Sequence, residues 1–316
     1  YMVKKIKMHQ FFILSIFLVL VLICVSFFQF YKENFSYVKD YNVIRELCYE
    51  KKNPRHEYCR PFKTEESLKK YIISSDPKKI YESYDAITLT NTIVEHTIFS
   101  TLQYFSPLII AIAVIGSLHS MFSSGMFENY ILRLDYKKYL KKNYKIILGA
   151  AAIMPMALII VFLTSSIITG FNFNISNVDI TLSVYNKWKY DNFILYGFLI
   201  CILQYFMSLV YANIALYCCK KSKNKIVSII MSYVMFIVLD IFIYIIVYAI
   251  ILNKIFGLKE LTDYFNIAGY WFFNSTNNII YPVLLAFLLQ LVSFLFVYNC
   301  FKKKEQVILD YEKQVS

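Results

Sequence analysis

Apolar residues in this chain gather in long runs instead of alternating or recurring on one helical face. Phe11–Phe30 reads FFILSIFLVLVLICVSFFQF and holds no charge. Five further runs lie near Ile98–Met121, Ile146–Gly170, Phe193–Cys218, Ile226–Leu252 and Ile279–Phe301. Each has about the 20 residues that an α-helix needs to cross the hydrocarbon core of a bilayer. The pattern predicts an all-α integral membrane protein with six transmembrane helices. Lys4, Lys5 and Lys7 precede the first run, as in a secretory signal. Its length, and the lack of a small-residue cleavage site after it, predict a retained span instead.

Composition supports this class. Hydrophobic residues make up 58% of the chain and charged residues 17%, against about 45–50% and about 25% in soluble globular proteins. The net charge of +12 would suggest nucleic acid or acidic partners in a soluble protein. Here it sorts by side of the membrane. With the N-terminus inside, segments 1–10, 122–145, 219–225 and 302–316 are cytoplasmic and hold 17 Lys and Arg against five acids. Segments 31–97, 171–192 and 253–278 lie outside and hold 16 against 15. The bias of basic residues toward cytoplasmic loops therefore predicts N-in and C-in, and no nucleic-acid partner.

Three parts follow. Residues 1–30 form the cytoplasmic N-terminus and first span. Residues 31–97 are too long for a hairpin and too mixed in charge for a span, so they predict a small extracellular domain, with a helix-compatible stretch at Thr64–Ser74. Residues 98–316 carry the other five spans, with a basic cytoplasmic loop at 121–145 and a half-apolar outer segment at 253–278. Cys48 and Cys59 are the one outside cysteine pair and flank a turn-prone segment containing Pro54. They are candidates for a disulfide, the alternative being two free thiols.

Catalytic chemistry is absent from the sequence. The four histidines show no zinc-protease spacing, and no metal site is expected. No glycine is followed by lysine, which excludes the phosphate-binding loop of ATP-hydrolysing proteins. The expectation is a chain that is not an enzyme and holds no cofactor of its own. Polar residues inside spans then carry the interest. Asp240 stands near the middle of the fifth run, where an ionised carboxylate costs about 2.5–3.5 kcal/mol to insert. It is either a substrate-path carboxylate or a structural group bonded to a neighbouring helix. Gln103, Gln204 and Gln290 either line a translocation path with it or bind helices together.

The loop MFSSGMFENYILRLDYKKYLKKNYK, from Met121 to Lys145, is the most informative segment. Met126, Phe127, Tyr130, Ile131 and Leu134 follow helical spacing and form an apolar face. Arg133, Lys137, Lys138, Lys141, Lys142 and Lys145 follow as a basic stripe. The stripe suits anionic membrane lipid, while the apolar face suits docking on a cytoplasmic partner.

In its six spans and in this loop, the chain resembles a permease of the ABC-2 (type V exporter) family. The matching positions are Phe122, Gly125, Glu128, Arg133 and Lys137–Lys145. The outer segment 253–278, with Gly257 and Gly269, is similar to the re-entrant helices such permeases carry before their last span. The resemblance implies that Phe122, Gly125, Phe127, Glu128, Tyr130, Ile131 and Arg133 form a coupling helix docked on cytoplasmic ABC ATPase subunits. It also implies a second permease subunit, as a homodimer or pseudo-dimer, with ATP and Mg held by the ATPase. The expected function is ATP-driven export of a hydrophobic peptide, lipid or drug across a bacterial plasma membrane.

Two rivals remain at this stage: a secondary transporter, which Asp240 favours weakly, and a ligand-sensing immunity membrane protein built on the outer domain. The charge census makes a test independent of these choices. Reporter fusions at Gln10 and at Ser316 should be active only with a cytoplasmic reporter. Activity of an exported reporter at either site would overturn the six-span, N-in arrangement.

Overall fold

The computed structural model describes residues 2–45, 85–123, 136–173, 192–222, 224–257, 279–303 and 307–308. Helices account for 91% of the structure, with no strand among the described residues. Among the described residues, the α-helices in chain order are α1 (Met2–Arg45), α2 (Ala86–Glu95), α3 (Thr97–Ser123), α4 (Tyr136–Ala151), α5 (Ile153–Ile168), α6 (Phe193–Lys221), α7 (Lys225–Ile241) and α8 (Ile280–Phe301). A π-helical segment, Phe242–Ile255, continues α7 without a break.

Among the described residues, six stretches are long and apolar enough to cross a membrane: Gln10–Glu33, Thr97–His119, Tyr136–Ile168, Phe193–Lys221, Lys225–Ile255 and Ile280–Phe301. They coincide with the six runs in the sequence and identify a multi-pass membrane protein. The physical reason is backbone satisfaction, since an α-helix pairs its own N–H and C=O groups where no water is present. Serine and threonine hydroxyls follow the same rule. Those of Ser15, Ser26, Thr90, Ser117, Ser166 and Thr169 donate to the carbonyl four residues earlier, at 2.6–3.0 Å.

The third run is broken by its own sequence. Pro155 has no N–H, so it cannot donate to the carbonyl of Ala151, and its ring crowds that carbonyl. α4 accordingly ends at Ala151 and α5 begins at Ile153. Pro107 lies inside α3 and removes the corresponding bond to the Gln103 carbonyl. The π segment is a different departure. Such helices are rare and usually one turn long, whereas this one covers 14 residues. It ends at Gly257, whose φ of +71° is the left-handed conformation that glycine adopts without penalty.

The described chain divides into two compact units. The first comprises Tyr1–Val21, Ser100–Ile159 and Tyr185–Ser316. In it α6 and α8 run parallel in a constant register. Asn213 pairs with Ser293 and Lys220 with the Cys300 carbonyl, each 80 residues apart, and Phe206–Phe287 and Tyr217–Phe296 ring contacts hold the same register. α4 runs antiparallel to α8, with Tyr136 bonded to the Phe301 carbonyl and Tyr144 edge-on to Phe294. α7 packs on α6 through an edge-to-face contact of Tyr211 with Phe236.

In the same unit the start of α1 lies antiparallel to α3. Ser15 Oγ donates to the Ile109 carbonyl at 3.2 Å. At Gly116 the absence of a side chain leaves the space that Phe11 fills, from its Cβ to its ring.

The second unit comprises Leu22–Phe99 and Ile160–Val184. Its centre is α2, whose Ala86, Leu89, Ile93 and Val94 are fully buried. Asp85 caps this helix, accepting from Thr88 N and Thr88 Oγ1, both at 2.7 Å. Such a cap satisfies one of the donors that a helix start leaves open. The Ala86 N–H donates to the Asn172 carbonyl at 2.7 Å, tying α2 to the turn after α5. Where α2 gives way to α3, His96 Nε2 meets Glu33 Oε2 at 3.0 Å. This short helix was not foreseen in the sequence, and the stretch Thr64–Ser74 lies outside the described residues.

Gly116 and Gly149 make a paired test of the packing in the first unit. A Cβ at Gly149 would meet its nearest neighbour, Phe12, at an ordinary 3.8 Å, whereas one at Gly116 would overlap Phe11. Gly116→Leu should lower stability by about 1–3 kcal/mol through overpacking, while Gly149→Ala stays near the parent. Thermal unfolding of the purified variants in detergent reads the difference. Equal stability of the two would show that α1 and α3 do not approach closely at Gly116.

Candidate functional site

Hydrocarbon makes every polar side chain within a span costly unless it is paired, so the buried polar residues of the first unit locate the candidate site. Asn213 is 0% exposed, Gln204 2%, Gln103 3% and Gln290 8%. These are buried positions on α6, α3 and α8.

Gln290 is the centre of a network that joins three helices. Its Oε1 accepts from Asn213 Nδ2 and from Ser293 Oγ, each at 3.3 Å. Asn213 Nδ2 also donates to Ser293 Oγ at 2.9 Å. The side chains of Tyr144, on α4, and Gln290 share a further hydrogen bond. The helical register explains this convergence. Asn213 and Lys220 are seven residues apart on α6, and Ser293 and Cys300 seven apart on α8, so one face of each helix meets the other over two turns. The arrangement fixes the mutual rotation of α4, α6 and α8 and offers no nucleophile, acid–base pair or metal set. No group of three metal-ligating residues occurs among the described residues.

Gln103 stands apart from this network. Gln103 lies on α3 just before Pro107, and both atoms of its side-chain amide lack a hydrogen-bond partner among the described residues. Gln204 lies buried on α6. Asp240 is half-buried in the last turn of α7, two residues before the π segment begins. Gln103, Gln204, Gln290 and Asp240 are thus spread over four helices and form no shared cluster in the bonds described.

Of the predicted coupling residues, Phe122 lies in the last turn of α3. Gly125, Phe127, Glu128, Tyr130, Ile131 and Arg133 lie outside the described residues. So do Cys48, Cys59 and the outer segment beyond Gly257. The basic stripe that follows the coupling positions is described. Lys137, Lys138, Lys141 and Lys145 are exposed on the first turns of α4, while Asn143 and Ile147 are buried on its other face.

This stripe joins a larger basic end. The hydroxyl of Tyr136 donates to the carbonyl of Phe301, and Lys220 Nζ donates to the carbonyl of Cys300 at 2.7 Å. The last carbonyls of a helix have no partner within it, so the end of α8 is capped by residues of α4 and α6. Lys221, Lys302 and Lys303 lie exposed beside them. Elsewhere in the unit, Ala152, Pro155, Met156, Cys201, Ile202, Tyr205 and Phe206 line an open cleft of about 430 Å³ at the α4–α5 break. Its walls are apolar, as a lipid-facing or hydrophobic-ligand surface would be.

Sequence reasoning missed Asn213, Tyr144 and Ser293 as partners of Gln290. The available signal was an asparagine inside the apolar run SLVYANIALY, since an amide there demands a partner. Which helix supplies the partner depends on register. Comparison with protein-family models, with curated proteins and with solved structures gave no match.

The network predicts measurable coupling. Asn213→Leu and Gln290→Leu should each destabilise the protein, and the double variant should cost less than their sum. Interhelical side-chain bonds in membranes are worth about 0.6 kcal/mol on average and about 1.7 at most, which sets the expected coupling. Reversible unfolding in mixed micelles reads it. Simple additivity would mean that the amides do not pair.

Proposed function

We propose that this chain is the transmembrane permease subunit of an ATP-driven exporter. It works as a dimer with separate ATPase subunits and moves a hydrophobic peptide, lipid or drug across the membrane. The supporting observation is the segment Met121–Lys145: an apolar helical face at Phe127, Tyr130 and Ile131, followed by the basic start of α4, between the second and third of six spans. This sequence has no phosphate-binding loop, which agrees with ATP hydrolysis on a separate subunit, and this loop has the chemistry to meet one.

Several features agree with that reading. The basic ends of α4, α6 and α8 lie together, as expected if 122–145, 219–225 and 302–316 all face the cytoplasm. The parallel course of α6 and α8, separated by one intervening span, suits the same N-in, C-in path, with 31–97 on the outside. Docking of ATPase subunits at that side would draw paired coupling helices together and rock the bundles. Pro155 interrupts the third span where such a motion needs compliance. The scarcity of charge within the spans favours an apolar substrate. Asp240, beside the π segment, is the one feature that favours a secondary transporter instead.

The reading predicts that Phe127→Asp and Ile131→Asp abolish ATPase association and transport while membrane insertion is kept. Charge alone is screened within about 8 Å at physiological salt, so shape-matched apolar contact carries the docking. Lys141→Gln with Lys142→Gln should do less harm. Co-purification with an ATP-binding subunit, lost in the apolar variants, is the measurement. Transport by the chain purified without any such subunit would reject the exporter and leave the secondary transporter.

A further inference from the structure

We infer that the turn of α3 at Gln103, Ser106 and Pro107 binds ordered water inside the membrane span. Gln103 and Ser106 lie three residues apart, so their side chains leave the same face of the helix. Both are buried, at 3% and 0% exposure. The amide Nε2 and Oε1 of Gln103 and the Oγ of Ser106 have no hydrogen-bond partner among the described residues. Three unpaired polar atoms therefore sit within one turn of a helix whose candidate span runs from Thr97 to His119.

Local bonding does not satisfy these atoms. A serine inside a helix commonly turns its hydroxyl back onto the carbonyl three or four residues earlier. Ser117, buried on the same helix, does so and donates to the Ala113 carbonyl at 2.7 Å. Ser106 does not. Pro107 adds a fourth group, because it has no N–H and the Gln103 carbonyl loses its helical donor. In membrane helices a carbonyl freed in this way is re-satisfied by a neighbouring helix, a hydroxyl or an ordered water. The hydroxyl of Ser106, three residues on, makes no such bond.

Burial and the set of donors and acceptors select the ligand. Gln103 needs an acceptor for its amide N–H groups and a donor for its amide oxygen, and the Ser106 hydroxyl likewise both donates and accepts. A simple cation or anion answers one kind of group, and a lipid tail answers neither. Water answers both, and a buried water makes about three hydrogen bonds to groups of this sort. Exposures of 0% and 3% also favour the smallest such molecule over a larger polar ligand. The site needs only the burial and chemistry of α3 and is independent of the transport reading. It gives Gln103 a role distinct from that of Gln290, whose amide oxygen accepts from Asn213.

Two measurements on the full chain in lipid nanodiscs test this. An experimental structure sharp enough to show water should place an oxygen about 2.6–3.2 Å from the Gln103 amide and from Ser106 Oγ. Hydroxyl-radical footprinting, in which radicals formed from a bound water oxidise the side chains beside it, supplies the second. Leu102 and Ile110 lie one turn either side of Ser106 and are buried, as are Ile115 and Leu118 on the same helix. Leu102 and Ile110 should be oxidised and Ile115 and Leu118 spared. Q103M/S106A should lose that label, whereas Ser117→Ala should keep it. A protein or lipid atom in place of the water would overturn the assignment, as would the absence of any density there. Equal labelling of the four residues, label that survives the double variant, or its loss in Ser117→Ala would do the same. The density in the unaltered chain decides the question even if the double variant fails to fold.

Discussion

Hydrocarbon supplies no hydrogen bonds, and the described structure is arranged around that constraint. Backbone groups are paired within helices, and many serine and threonine hydroxyls turn back onto their own helix. Charge is moved to helix ends. Among the amides that remain inside the first unit, Gln290 pairs with Asn213 across helices and helps set how α4, α6 and α8 are rotated against one another. A polar bond of this kind contributes modestly to stability. Its larger effect is orientational, because a one-residue slip would bury an amide against lipid or aliphatic side chains.

The same constraint marks the departures from regular helix. Pro155 leaves the Ala151 carbonyl without its helical donor, and Pro107 does so for Gln103. The π segment after Asp240 changes the phase of the fifth span for 14 residues. Such points are where a helix in a bilayer yields without exposing many backbone groups. Asp240, at the switch from α to π geometry, therefore has a structural setting unlike that of the other intramembrane polar residues. Its place on a different helix from the Gln290 network separates two roles that the sequence alone presents as one list of polar positions.

Charge is unevenly distributed over the described residues of the first unit. One end gathers lysines of three helices around the carbonyls of Cys300 and Phe301, and the interior holds Asp240 as its one described acid. This asymmetry agrees with the general bias of basic residues toward the cytoplasmic side of a membrane.

The sequence by itself determined the six spans, because span length and apolarity are local properties that the bilayer selects without reference to neighbours. It also determined the location of the basic segments. Within the candidate site it exposed Gln103, Gln204, Gln290 and Asp240 as polar residues in costly places. Tertiary structure alone decided how Gln290 is paired. Asn213 meets Gln290 and Ser293 because α6 and α8 run parallel at an offset of 80 residues, and no local pattern encodes that offset. Tyr136 and Lys220 cap the end of α8 for the same reason. The burial of α2 on nearly all sides was equally hidden, because a ten-residue apolar helix is too short to signal a span and becomes recognisable only through the Asp85 cap and the Asn172 carbonyl that hold it. Local chemistry selects elements, whereas register and rotation are set by long-range packing between residues that the chain keeps far apart.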